Sequence, residues 1–194
     1  MTSSEDKVEQ LRQALEDFSG GTLFDHEAEA AKAEVRGRAL RLLDQRARSH
    51  HELRGRLVDL EFEPQVIDEV LGDLHRSGLL DDQAFANEWV RQRHARRGKS
   101  ASVLDRELRE KGVSEQHRAE ALEQIAAEDE EAAARAAATK KAGTVKTVPA
   151  DRAERDKILR RILGVLARRG YGGEMSMRIA RSALDDRIAE LEQA

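Results

Sequence analysis

The sequence contains an internal repeat, and a repeat limits the possible folds more than any other feature of this chain. When the numbering is shifted by 51, Leu53 falls on Leu104, Leu57 falls on Leu108, and the polar residue Ser49 falls on Ser100. A further shift of 58 brings the second copy onto a third stretch, with Leu104, Leu108 and Val113 matching Ile162, Leu166 and Tyr171. The pattern therefore predicts three copies of one structural unit.

Composition and punctuation predict that each unit is helical. Ala, Leu, Arg and Glu recur throughout and favour helix, and the chain has only two prolines. In the first unit, Ser49 is predicted to cap a helix, with Glu52 completing a capping box. Pro64 is predicted to open the next helix and Gly78 to end it. The spacing in RGRALRLLDQRA predicts a buried face formed by Leu40, Leu43 and Ala47.

The sequence thus predicts an all-α fold with three tandem three-helix repeats that form an elongated, curved helical array. The repeats are expected at residues 36–80, 81–127 and 128–194, the last with an internal loop near 142–150 that contains Gly143 and Pro149. Ahead of them lies an acidic arm, residues 1–35. Nine acidic and three basic residues among the first 34 give a charge of −6, although the whole chain carries only −4.

Two patterns resemble chemical sites, but both favour structural interpretations. Gly98-Lys99-Ser100 ends like a phosphate-binding P-loop, yet Arg93 stands where the first glycine is required and no buried strand precedes it. Asp81 and Asp82 could bind a metal ion or share a proton. We favour helix capping for them, because a helix begins there and no third ligand is spaced to complete a metal site.

The sequence predicts neither catalysis nor a cofactor, and no metal site. There is no cysteine, so a disulfide framework and thiolate chemistry are excluded, and a reducing cytoplasm is the expected compartment. No apolar run approaches the roughly 20 residues that a membrane span needs. Phe85 and Trp89 lie one helical turn apart, and burial between repeats is favoured for them over a stacking platform for bases.

Two basic clusters are the candidate binding residues. Arg93, Arg96 and Arg97 share a helix face, and a second cluster occurs later in the chain. Cations at a helix C-terminus also complement its dipole, so a solvated structural face and a surface for a polyanion or an acidic protein groove remain equal alternatives. The full set of candidates is Arg91, Arg93, Arg96, Arg97, Lys99, Arg168 and Arg169.

Several segments resemble the RecX family of bacterial regulatory proteins, which modulate the RecA recombinase. These segments are ALRLLDQRARSHHELRGRL, GLLDDQAFANEWV, LREKGV and LARRGY, in that order from residue 36 to about residue 184. The sequence departs from the family at Tyr171, where the family usually has Phe, and in its acidic arm. The arm is either disordered or folded over the basic surface, where it would reduce DNA binding.

The resemblance implies a non-enzymatic, cytoplasmic, monomeric protein that binds RecA–DNA filaments. It would inhibit RecA ATPase, strand exchange and co-protease activity, and so act in DNA repair, recombination and the SOS response. The seven basic residues would contact the filament or its single-stranded or double-stranded DNA. The alternatives are a helical-repeat nucleic-acid-binding module and a protein-interaction scaffold, neither with a recombinase partner.

Overall fold

The computed structural model describes residues 26–193, which form nine α-helices and no strand. The helices are α1 (His26–Gln45), α2 (His50–Val58), α3 (Pro64–Arg76), α4 (Asp82–Arg97), α5 (Ala101–Glu110), α6 (Glu115–Leu122), α7 (Ala127–Ala142), α8 (Arg152–Arg168) and α9 (Gly173–Glu192). Within these residues, no helix is long and apolar enough to cross a membrane.

The helices pack in threes, and each group of three has a hydrophobic core of its own. Helices α1–α3 form the first unit, α4–α6 the second and α7–α9 the third. The first core contains Leu53 and Leu57, the second Leu104 and Leu108, and the third Ile162 and Leu166, all completely buried. The predicted all-α fold of tandem three-helix repeats is confirmed, because residues matched by the sequence repeat occupy equivalent core positions. The curvature of the array stays a prediction.

Helix ends lie where capping residues predicted them. The hydroxyls of Ser49 and Ser100 accept hydrogen bonds from the third residue of α2 and of α5, and Asp81 accepts one from Ala84 at the start of α4. Pro64 is the first residue of α3, and Gly98 ends α4 in the left-handed conformation. The side-chain caps from Ser49, Ser100 and Asp81 each contribute about 1 kcal/mol, because they satisfy backbone N–H groups that have no partner within the helix.

Helix α1 differs from its prediction at both its start and its buried face. It begins at His26, so part of the stretch predicted as an acidic arm is helical, while residues 1–25 of the arm lie outside the described residues. The predicted face of Leu40, Leu43 and Ala47 is wrong, because Leu40 is 40% exposed and Ala47 is also exposed. The buried stripe consists of Val35, Ala39 and Leu42. An alanine- and leucine-rich helix offers two apolar stripes, and packing against α3 selects one of them.

The middle helices of the three units meet end to end. At the first junction, the Ser49 hydroxyl at the start of α2 donates to the Lys111 carbonyl at the end of α5, 2.6 Å away. At the second junction, the Ser100 N–H at the start of α5 donates to the Arg169 carbonyl at the end of α8, 2.9 Å away. Because helix C-termini carry partial negative charge and N-termini partial positive charge, this order is electrostatically favourable.

Each junction also supplies a carboxylate to the receiving helix. Asp82 of the second unit accepts the His50 N–H at the start of α2, at 2.7 Å. Glu130 of the third unit accepts the Ala101 N–H at the start of α5, at 2.8 Å. A negative side chain at a helix N-terminus satisfies an otherwise unpaired donor and complements the dipole. Asp82 therefore joins the first two units, whereas its neighbour Asp81 caps its own helix.

Candidate binding surface at the second junction

The second junction brings the two predicted basic clusters together. One cluster lies at the C-terminal end of α4 and the other at the C-terminal end of α8. The Arg169 carbonyl accepts the Ser100 N–H, and a Cβ atom built on Gly98 would lie 3.0 Å from Nη1 of Arg169. The Arg169 guanidinium thus lies against the turn that ends the α4 cluster. Sequence spacing alone could not show this contact, because it depends on how the second and third units dock.

Three of the seven candidate residues are engaged by carboxylates of their own unit. Arg91 pairs with Glu88 at 2.6 Å, one turn before it on α4. Arg93 and Lys99 both pair with Glu107 of α5. Burial alone would raise the pKa of the Glu107 carboxyl, but the hydrogen bond from Lys99 and the other nearby donors outweigh burial and lower it. These ion pairs fix α4 against α5, so Arg93 and Lys99 have a structural role.

The other four candidates form what we call the junction cluster: Arg96, Arg97, Arg168 and Arg169. The first three are exposed, and Arg169 is half-buried. None of the four makes an ion pair with any carboxylate in residues 26–193. Unpaired guanidinium groups at one junction create a concentrated positive potential that suits an anionic partner.

Trp89 belongs to the second unit's core and its edge, and the prediction that it is buried between repeats is wrong. Its ring lies 5.5 Å from the Phe85 ring, and its indole N–H donates to Glu107 at 3.1 Å. The Arg93 guanidinium lies 3.5 Å and the Lys111 ammonium 4.3 Å from the ring centroid. Intramolecular partners therefore occupy the ring surface that a stacked base would need.

The apparent P-loop ending is a helix boundary. Gly98 ends α4, the Lys99 ammonium pairs with Glu107, and Ser100 caps α5. Across residues 26–193, no group of three His, Cys, Asp or Glu side chains is arranged to hold a metal ion. The geometry of this stretch thus serves to connect two helices and two units.

An ion pair at the first junction was missed in the sequence. Glu52 accepts hydrogen bonds from Arg46 of its own unit and from Lys111 of the second unit, at 3.1 and 2.7 Å. Burial alone would raise the pKa of the Glu52 carboxyl, but these two cations outweigh burial and lower it to about 2. The predicted capping box is therefore incomplete. The Ser49 hydroxyl accepts the Glu52 N–H and caps α2, but the Glu52 carboxylate joins two units.

Comparison with known proteins agrees with this architecture. The family models for the first and second three-helix domains of RecX match residues 36–74 and 81–122. A protein of Corynebacterium efficiens named regulatory protein RecX is 59% identical over 194 residues, covering 96% of this chain and 92% of its own length. A regulatory protein RecX of Streptomyces lividans is 36% identical over 159 residues, covering 82% of each chain.

Solved structures support the fold independently. The crystal structure of RecX from Lactobacillus salivarius superposes with a TM-score of 0.63 at 20% identity, over 86% of this chain and 99% of that one. Another crystal structure, of a regulatory protein RecX, superposes with a TM-score of 0.69 at 22% identity, covering 88% and 87% of the two chains. Together with the long, closely similar relatives, the repeated three-helix units show that this chain belongs to the RecX family of regulatory proteins.

Proposed function

We propose that this chain binds RecA–DNA filaments and inhibits RecA ATPase, strand exchange and co-protease activity, without catalysing a reaction itself. Membership of the RecX family supports RecA as the partner. Binding to a filament would keep RecA from the conformations that hydrolysis and strand exchange require. The expected site of action is the cytoplasm, with the protein as a monomer.

The observation that supports this binding site is the convergence of unpaired arginines at the second junction. Arg96 and Arg97 end α4, and Arg169 reaches the same turn from α8. The partner surface would be anionic, either the phosphate backbone of filament DNA or acidic side chains of RecA. Arg93 and Lys99 would contribute mainly by holding α4 against α5, because Glu107 already engages them, whereas Arg91 is engaged by Glu88 of its own helix.

The proposal is tested by measuring ATP hydrolysis by RecA on single-stranded DNA with increasing amounts of this protein. The native protein should depress hydrolysis near stoichiometric amounts. The combined variant Arg96→Gln, Arg97→Gln and Arg168→Gln should need about tenfold more protein or more, because it loses three charge-assisted contacts.

The matched control removes the same charge from arginines that are already paired: Arg54→Gln, Arg76→Gln and Arg109→Gln, whose partners are Asp68, Asp73 and Asp105. This control should inhibit as the native protein does. Unchanged hydrolysis with saturating native protein would refute the function. Equal inhibition by both variants would refute the junction cluster as the binding site.

A further inference from the structure

The third unit contains a cleft that the family resemblance did not point to. It lies between the loop that follows α7 and the first turns of α8, and has a volume of about 770 Å³. Five basic side chains line it: Lys141, Lys146, Lys157, Arg160 and Arg161. All of them except Lys141 are exposed, and Lys141 is half-buried. We call this the α8 cleft.

The cations of the α8 cleft are unpaired, in contrast to their neighbours. Arg152 and Arg155, also on α8, pair with Asp156 and Asp185, and Arg178 on α9 pairs with Glu131. Within residues 26–193, none of the five cleft cations makes an ion pair. The third unit therefore pairs five of its ten arginines with carboxylates and leaves this face with positive charge that no ion pair compensates.

The two carboxylates that line the cleft do not neutralise this charge through direct contact. Asp151 accepts the Glu154 N–H at 2.7 Å and so caps α8. Glu154 in turn accepts the Ala150 N–H at 2.8 Å. Each carboxylate accepts a backbone N–H at the start of α8, and neither makes an ion pair with a cleft cation within residues 26–193. The basic side chains remain available to an external anion.

We infer that the α8 cleft is a second anion-binding site, which takes the phosphodiester backbone of a nucleic acid. Lys157, Arg160 and Arg161 follow one another at i, i+3 and i, i+4 spacing, so they share one face of α8. Lys141 at the end of α7 and Lys146 in the loop that follows also line the cleft. Basic side chains along a groove are the arrangement that binds a chain of phosphates, with release of counterions.

The lining also indicates that bases are not read. No aromatic side chain lines the cleft, so it has no platform on which a base could stack. The contacts would be made to phosphates, which carry no sequence information directly. The cleft should therefore bind strands of different base composition equally.

The inference goes beyond the proposed function, since it requires no recombinase. It is tested by fluorescence anisotropy with labelled oligo(dT) and oligo(dA) of equal length, using the full-length protein in the absence of RecA. The cleft variant is Lys157→Gln, Arg160→Gln and Arg161→Gln. The control variant is Arg152→Gln, Arg155→Gln and Arg178→Gln, which removes the same charge from paired arginines of the same unit.

The cleft variant should bind both oligonucleotides about tenfold more weakly or worse, and the slope of log affinity against log salt should fall by about 2, as expected for three lost phosphate contacts on a single strand. The control should stay within about twofold of the native protein.

Circular dichroism checks that both variants are folded. Equal binding by the two variants, no binding by the native protein at low salt, or a loss for one base sequence only would each overturn the inference. RecA inhibition is measured separately, so failure here leaves the proposed function intact, and the reverse also holds.

Discussion

At the scale of single residues, Tyr171 contributes to the fold through the packing of its ring, not through its hydroxyl. It is 3% exposed and packs in the third core, where the equivalent residue of the second unit is the apolar Val113. Its hydroxyl makes no hydrogen bond within the described residues. Burial, and then the charge of Glu130, raise its pKa to about 12, so the phenol is neutral. A buried hydroxyl without a partner costs stability.

Replacing Tyr171 with Phe should therefore raise the free energy of unfolding by about 1 kcal/mol, because the ring packing is kept and the unsatisfied hydroxyl is removed. Urea denaturation followed by circular dichroism measures the change. Tyr171→Ala is the contrasting control and should lose about 3 kcal/mol or more through the cavity it leaves. Destabilisation by Tyr171→Phe would show that the hydroxyl has a partner that stabilises the fold.

A second residue-scale feature is a left-handed position that recurs after the middle helix of each unit. It is occupied by Glu61, Gly112 and Gly170, with φ of 64°, 71° and 89°. A Cβ atom on Gly112 would collide with His51 of the first unit, and one on Gly170 would collide with Ser100 and Val103 of the second unit. Glu61 belongs to the first unit, and within residues 26–193 no other unit docks at it, so a side chain is tolerated there. Glycine is required where another unit docks.

Gly112→Ala and Gly170→Ala should each lower the free energy of unfolding by about 2–4 kcal/mol, because alanine adds left-handed strain to a collision between units. Glu61→Ala is the control for the same left-handed position away from a junction, because Glu61 already has a Cβ atom and the exchange adds neither strain nor a collision. It should change stability by less than about 0.5 kcal/mol. Chemical denaturation of the three variants provides the comparison, and losses at Gly112 and Gly170 as small as the change at Glu61 would contradict the collision between units.

At the scale of helices, the sequence predicted what depends on local interactions. Ser49, Pro64 and Asp81 set helix ends through bonds or dihedral angles within a few residues, and their predicted roles are confirmed. The buried face of α1 was mispredicted, because both of its apolar stripes fit helical periodicity and only packing selects between them. Local signals therefore fix where helices begin and end more reliably than which side they bury.

The candidate surface was predictable only as a list of basic residues. Sequence could not separate Arg93 and Lys99, which Glu107 engages, from Arg96 and Arg97, which have no ion pair in the described part of the chain. The separation depends on α5 placing Glu107 beside α4. The α8 cleft was also missed, because its cations come from two segments that only the fold brings together.

At the scale of the whole molecule, three separate cores must act as one array, and the junctions supply the coupling. At the first junction the Glu52 carboxylate receives Lys111 across the boundary between units, and both side chains are largely buried, with 18% and 19% of their surfaces exposed. An ion pair shielded in this way is screened less by salt than a fully exposed one. We therefore expect this ion pair to make the docking of the first two units depend on pH.

Because the pKa of Glu52 falls from its ordinary value of 4.5 to about 2 on folding, its charged form stabilises the protein above pH 4.5. This contribution should decline as the pH drops from 4.5 and vanish near pH 2.

Glu52→Gln should lower the free energy of unfolding at pH 7 by about 1 kcal/mol after solvent screening, and the difference from the native protein should shrink through that window. Urea denaturation followed by the fluorescence of Trp89 measures this difference. Trp89 is the only tryptophan, and its ring contacts the Lys111 side chain. Glu88→Gln is the control, because the Glu88 side chain is 43% exposed and pairs only within α4, so its loss should leave the coupling between units unchanged. A stability difference for Glu52→Gln that persists unchanged to pH 2 would mean that the carboxylate charge does not hold the junction.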